Sequence, residues 1–263
     1  AHSILGILPP NATQTGEIYY KGVRLTPEEQ KRLRGKEITL IPQSVNYLDP
    51  LMKVGKQVRY TAGKGEGKFI QESLFRRFHL PATAGEKYPF QLSGGMIRRV
   101  LISTAISGGA RLIIADEPTT ALDVTIQAQI LDLLRNLKDK INSSIMLITH
   151  DLGVIAEMAD FVVVMYAGRI VEKGTALEVF HNPLHPYTVG LMASKPVVNR
   201  SVERLYSIPG NVPNPINMPN YCYFKDRCER RMPVCDGAYP EEVYLTETHM
   251  VTCYHYINTP AEV

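Results

Sequence analysis

No stretch of this chain is apolar for long enough to cross a bilayer. The longest apolar runs, Leu112–Ala115 and Phe161–Ala167, fall far short of the roughly 20 residues that a spanning helix needs. The opening Ala1-His2-Ser3-Ile4-Leu5-Gly6 has no basic flank and no small-residue cleavage pattern, so no secretory leader is visible in it. Charge of one sign is scarce. A formal net charge of +3 without a long basic run gives no electrostatic footprint for nucleic acid. Cysteine is absent before Cys222, although the chain has four. These absences predict a soluble globular chain whose membrane role, if any, runs through a partner.

What is present fits that frame. The 263 residues are 44% apolar and 21% charged, enough for one large α/β domain or a domain with an appendage. Ala1–Leu8 reads as a helix stopped by Pro9-Pro10, and its uncapped start looks cut. Glu17–Tyr20 followed by Lys21-Gly22 predicts a hairpin, and Lys36–Pro42 a short buried strand. Residues 44–92 carry helical patterns broken by Gly63, Gly65 and Gly67, a small helical subdomain. From Ser93 onward strands and helices alternate. Arg111–Asp116 is a continuous apolar run ending in an acid, as a strand buried on both faces should be. Ile126, Ile130, Leu133, Leu134 and Leu137 recur at helical spacing, so 124–140 is an amphipathic helix. Ser144–Thr149 and Phe161–Tyr166 read as two further buried strands, with a helix at 152–159 between them. The alternation predicts a largely parallel sheet covered by helices. After about Lys195 the character shifts, and Pro209, Pro213, Pro215 and Pro219 mark an extended connector.

Two acids, Asp116 and Glu117, follow the apolar run Ile113-Ile114-Ala115. Ligands of open α/β sheets bind beyond the carboxyl ends of strands. One carboxylate there can hold Mg²⁺ and a second can polarise water; a surface turn is the plainer reading. Leu92-Ser93-Gly94-Gly95 precedes a helical run, Met96–Ile106. A glycine-opened helix start lets backbone N–H groups approach a phosphate, though Ser-Gly-Gly can equally be an ordinary cap. Taken singly, Gln43 could be a loop residue, Asp123 a helix cap, and His150 a partner for a buried carbonyl.

Together the order is Gln43, then Leu92-Ser93-Gly94-Gly95, then Leu112–Glu117, then Ala121-Leu122-Asp123, then His150. This series over residues 1–195 resembles the ATPase subunits of ABC transporters. The resemblance implies an α/β, RecA-like P-loop NTPase core with a helical subdomain. It implies that Gln43 ligates Mg²⁺ and senses the membrane subunit, and that Ser93, Gly94 and Gly95 contact the γ-phosphate of ATP on a partner ATPase subunit. Asp116 would support Mg²⁺, Glu117 would act as general base, Asp123 would lie at the dimer seam, and His150 would contact the γ-phosphate. Phosphoryl transfer asks for such positioning and charge rather than covalent chemistry. The pattern Gly-x-x-x-x-Gly-Lys-[Ser/Thr] occurs nowhere in the chain. Without that loop the main grip on ATP is lost, so these 263 residues are expected not to hydrolyse ATP by themselves. A core sheet short of strands, with exposed apolar surface, is a further expectation.

Cys222, Cys228, Cys235 and Cys253 are spaced C-x5-C-x6-C-x17-C. Four thiolates can close the shell of zinc or of an iron–sulfur cluster; the wide spacing suits a [4Fe–4S] cube better, with free or bridged thiols as the plain alternative. His185-Pro186-Tyr187-Thr188, Ile208-Pro209-Gly210 and the cysteine run with Phe224 and Arg227 resemble the C-terminal extension of oligopeptide/dipeptide and nickel importer ATPases. This implies a metal-bearing extension over 196–263. It also implies two membrane-spanning permease subunits, an extracytoplasmic substrate-binding protein, and a peripheral place on the cytoplasmic face of the membrane. The rival readings are a soluble ABC ATPase outside transport and a non-catalytic iron–sulfur or zinc module.

Overall fold

The structure, a computed structural model, describes residues 1–63, 65–120, 124–141, 143–194 and 206–257. It forms two compact units, Ala1–His150 and Asp151–Val263. The compositional shift near Lys195 does not coincide with this division, and Lys195 itself lies outside the described residues.

In the first unit α1 (His2–Leu5) closes at Gly6, whose φ of 63° ends the helix earlier than Pro9-Pro10 would. Strands β1 (Tyr19–Tyr20) and β2 (Val23–Arg24) pair around Lys21 and Gly22, both at positive φ, the twist a two-residue hairpin turn requires. Helix α2 (Pro27–Leu33) is absent from the sequence expectation. Its start signals are nonetheless plain: Thr26 caps the Glu29 N–H, Pro27 opens the first turn, and Glu28 and Glu29 complement the dipole. Strand β3 (Ile38–Ile41) leads into the helices α3 (Val54–Ala62) and α4 (Gly67–Arg77) of the 44–92 segment. Helix α5 (Gly94–Ile106), strand β4 (Leu112–Asp116), helix α6 (Val124–Ile141) and strand β5 (Ser144–Ile148) follow.

The sheet is parallel in the order β3-β4-β5, with Ile38 beside Leu112 and Asp116 beside Ile148. Ile113, Ile114 and Ala115 of β4 are buried, between Ile38 and Ile41 of β3 and helix residues such as Ile102, Ile130 and Leu134. Each large apolar side chain so buried contributes about 1.5–3 kcal/mol, which is why the central strand is a continuous apolar run. The α6 stripe holds at Ile130, Leu133 and Leu134; the Leu137 side chain lies outside the described set. Strand β5 departs from expectation. It lies at the edge of the sheet and alternates, with Met146 and Ile148 exposed, because one edge and part of a face have no cover.

In the second unit α7 (Leu152–Met158) starts at Asp151, whose carboxylate accepts from the Gly153 and Val154 N–H groups. Strands β6 (Phe161–Tyr166) and β7 (Arg169–Thr175) form an antiparallel hairpin around Ala167 and Gly168, both at positive φ. This corrects the reading of 161–166 as a buried strand: Phe161, Val163 and Met165 are exposed, as the outward face of an edge strand is. Helices α8 (Ala176–His181) and α9 (Pro186–Ala193) follow, and then β8 (Val243–Tyr244) and β9 (Met250–Val251). The sheet order is β6-β7-β9-β8, so the tail is built onto 151–194 through the β7–β9 pairing.

His185 caps α9 through Nδ1, which accepts from the Tyr187 N–H at 3.0 Å. It is 2% exposed, and burial lowers its pKa to about 3. A histidine whose folded pKa lies below its unfolded value of about 6.5 takes its proton preferentially in the unfolded chain. Its contribution to stability is therefore whole above pH 6.5 and drains away as pH falls toward 3. His185→Gln should flatten the pH dependence of the second unit's urea midpoint across that window. An unchanged slope would remove His185 as its source.

Candidate functional site

Three of the expected residues meet where the parallel strands end. Gln43 follows β3 by two residues, Glu117 follows β4 directly, and His150 follows β5 by two. Gln43 Nε2 donates to Glu117 Oε2 at 2.7 Å. The other oxygen, Oε1, stands 3.1 Å from His150 Nδ1. The Thr120 hydroxyl also donates to Oε2, at 2.8 Å. That hydrogen bond first, and His150 second, hold the Glu117 carboxyl below the usual carboxylate range. Glu117 is thus an ionised acceptor at neutral pH, the state a general base requires. The site opens to solvent: the His150 side chain is 76% exposed, against 26% for Glu117.

The backbone beneath this carboxylate is strained. Glu117 has φ 44°, left-handed for a residue with a Cβ, a cost of order 1–3 kcal/mol that only surrounding contacts can hold. Its N–H donates to the Ile148 carbonyl at 2.8 Å. Its own carbonyl accepts from Arg98 Nη2 at 2.7 Å. Arg98 lies on α5 and is 3% exposed. Its Nε donates to the Pro118 carbonyl at 2.8 Å, and Nη1 to those of Pro42 and Gln43 at 2.7 and 2.9 Å. Sequence reasoning missed this residue, because an arginine in a helical run reads as a solvated face. The signal it offered was position: one turn past Gly94-Gly95, on a helix that continues after Arg99 with the apolar Val100-Leu101-Ile102.

Asp116 ends β4 half-buried beside Ile148. Ser93 caps α5, its hydroxyl accepting from the Met96 N–H at 3.4 Å. Nothing stands within 4 Å of where a Gly94 side chain would begin, so the backbone there is open to close approach. No hydrogen bond joins Ser93, Gly94 or Gly95 to the Gln43–Glu117–His150 cluster among the described residues; α5 and its Arg98 are the link. Asp123, with Ala121 and Leu122, lies outside the described residues.

The four cysteines lie in the second unit and are all free. They stand on separate turns: Cys222 before Phe224, Cys228 and Cys235 on two 3-10 turns, and Cys253 after β9. Burial pushes the Cys253 thiol up to about 11, and its three fellows add to the rise. Among the described residues no three His, Cys, Asp or Glu side chains are gathered as one metal ion would need. No described helix is long and apolar enough to cross a membrane.

A parallel sheet whose central strand ends in an acid pair, with a glutamine and a histidine following the neighbouring strands, is an α/β protein with a polar site at the carboxyl ends of its strands, where ligands of such sheets bind. Comparison with known proteins narrows this. The "ABC transporter" family matches residues 1–120, and the "oligopeptide/dipeptide transporter, C-terminal region" family matches residues 171–235. The chain is 44% identical over 258 residues to the oligopeptide transport ATP-binding protein OppD of Bacillus subtilis, covering 93% of this chain and 72% of that protein. It is 40% identical over 268 residues to the dipeptide transport ATP-binding protein DppD of the same organism, covering 97% and 80%. In fold it resembles the dimeric ATP-binding cassette MJ0796 bound to ADP and Pi, at a TM-score of 0.59 and 24% identity, over 66% of this chain and 78% of that one. The chain belongs to the ABC transporter ATPases, a family that couples ATP hydrolysis to transport.

Proposed function

We propose that this chain is the ATP-hydrolysing subunit of a peptide importer, with Glu117 as the general base that takes a proton from the attacking water. The observation that carries this is the Gln43–Glu117–His150 cluster at the carboxyl ends of β3, β4 and β5. Gln43 and Asp116 are assigned to Mg²⁺, the aspartate through water, as a hard oxygen-seeking cation would take them. His150 is assigned to the γ-phosphate, next to the base. Ser93 and Gly94, exposed at the start of α5, and the half-buried Gly95 are assigned to the γ-phosphate of ATP held by a second ATPase subunit. Asp123 is assigned to the seam between the two.

Peptide is preferred to nickel because the relatives above are named for oligopeptides and dipeptides. Two membrane-spanning subunits are assigned to the helical 44–92 segment, where Tyr47, Leu51, Tyr60, Phe69 and Phe90 are exposed, more large apolar side chains than a solvated face needs. The chain then works as a peripheral protein on the cytoplasmic side, and an extracytoplasmic binding protein delivers the peptide. In the assembled importer, ATP turnover should rise when that binding protein is loaded with peptide and stay flat with nickel. The opposite pattern refutes the substrate assignment.

The four free cysteines are assigned to a [4Fe–4S] cluster in preference to zinc. Their mutual electrostatic effect supports proximity, and their spread over four turns suits a cluster wider than one ion. Anaerobically purified protein should contain about four irons per chain with matching sulfide. About one zinc, or neither metal, would overturn that assignment and leave the ATPase reading untouched.

A further inference from the structure

From the helix that begins Ser93-Gly94-Gly95, Arg98 hydrogen-bonds to the backbone just past both β3 and β4. Its guanidinium gives four of its five N–H bonds to carbonyls: Pro42 and Gln43 at the end of β3, Glu117 and Pro118 at the end of β4. Among the described residues no carboxylate is a partner of Arg98, and burial pushes its pKa down, although arginine stays charged in proteins. A buried cation is costly unless its donors are all engaged, and bonds from a charged donor are about twice as strong as neutral ones. The arrangement therefore resists any change in the spacing of those four carbonyls.

We infer that Arg98 is a positioning residue: it sets the separation of the Gln43 and Glu117 backbones, and it transmits displacement of α5 to both. The inference rests on the reading of Glu117 as the base. Gln43 reaches Glu117 Oε2 at 2.7 Å, so a shift of either backbone by about 1 Å carries the pair beyond hydrogen-bond range. Two features need such a hold. The strained φ of Glu117 must be maintained from outside, and its carboxylate is shared among three side chains from three segments, Gln43, Thr120 and His150. When an approaching nucleotide draws on Ser93–Gly95, α5 moves as a rigid rod and Arg98 carries the movement to the base. Lysine cannot substitute, because a compact ammonium has three donors and no planar fork to span two strands.

The test uses Arg98→Met, Arg98→Lys and Glu117→Gln. The side-chain amide signals of Gln43, whose Nε2 donates to Glu117 at 2.7 Å, and hydrogen exchange at the Glu117 N–H, which donates to Ile148, read the spacing in the folded chain; a loss of global stability would move the exchange of all β3 and β4 amides together. Arg98→Met should shift the Gln43 amide toward its free position and speed exchange at Glu117 selectively, and Arg98→Lys should do both to a smaller extent. In the assembled transporter, Arg98→Met should lower kcat for ATP by roughly a hundredfold, as about 1 Å of misplacement can, with KM within about twofold. Should Arg98→Met fail to fold, Arg98→Lys carries both measurements with smaller shifts in the same direction. An unmoved Gln43 amide signal in a folded Arg98 variant, or KM rising while kcat holds, overturns the positioning role. Full turnover by Glu117→Gln would instead overturn the reading of the base, so the two failures are distinguishable.

Discussion

Glu117→Gln in the assembled transporter should lower ATP turnover by about 10²–10⁴-fold, the range a positioned general base supplies. Glutamine keeps the length and one carbonyl oxygen, so the contacts from Thr120 and Gln43 to the side chain can persist. What it loses is the ability to take a proton. Binding should survive, because nothing in the proposed grip on the nucleotide requires that carboxylate. The expected signature is a transporter that binds ATP as the wild type does and holds its ATPase pair closed, seen as an ATP-dependent dimer that does not decay. A variant with unchanged kcat would remove Glu117 from the chemistry. One that no longer binds ATP would give the residue a structural role.

The second large effect lies in the other unit and concerns stability. Glu172 on β7 is 0% exposed. Its Oε1 accepts from the Leu184 N–H and faces His249 Nε2, both at 2.9 Å, and its Oε2 accepts from the His185 N–H at 2.9 Å. One carboxylate therefore ties β7, the segment entering α9, and the turn before β9. Glu172→Leu removes every acceptor while two N–H groups and the His249 ring stay buried. Breaking such a buried set by removing one partner costs about 3–5 kcal/mol, a large share of a typical domain's stability. The urea midpoint of the second unit should fall accordingly, with hydrogen exchange rising first at β7 and β9. Glu242, exposed and 3.9 Å from Lys173, is the control: Glu242→Gln should change the midpoint by no more than surface ion pairs do, about 0–1 kcal/mol. Equal effects at the two positions would contradict the buried network.

Much of the centre was legible because its residues sit where strands end. The apolar run through Ile113, Ile114 and Ala115 marks a strand covered on both sides, and the acids that follow must emerge at its carboxyl end. Gln43 and His150 follow strand patterns in the same way, and parallel pairing brings all three to one edge. Arg98 and Thr120 escaped notice for opposite reasons. A buried guanidinium satisfied only by carbonyls has no sequence partner to betray it, and a threonine three residues past an acid is too common to stand out. The direction of β6 escaped because an apolar run does not reveal its pairing; Ala167-Gly168, a two-residue turn, was the available signal for a hairpin. The cysteine spacing offers a candidate shared site, and the four free thiols all lie in the second unit, on separate turns.

The central claim is that hydrolysis at Glu117 drives import. ATP-dependent uptake of labelled peptide into vesicles carrying the assembled transporter tests it most directly, with wild-type and Glu117→Gln subunits compared at equal membrane content. The account predicts accumulation that requires hydrolysable ATP in the wild type and none in the variant. Equal uptake by the two, or wild-type uptake without ATP, would contradict it.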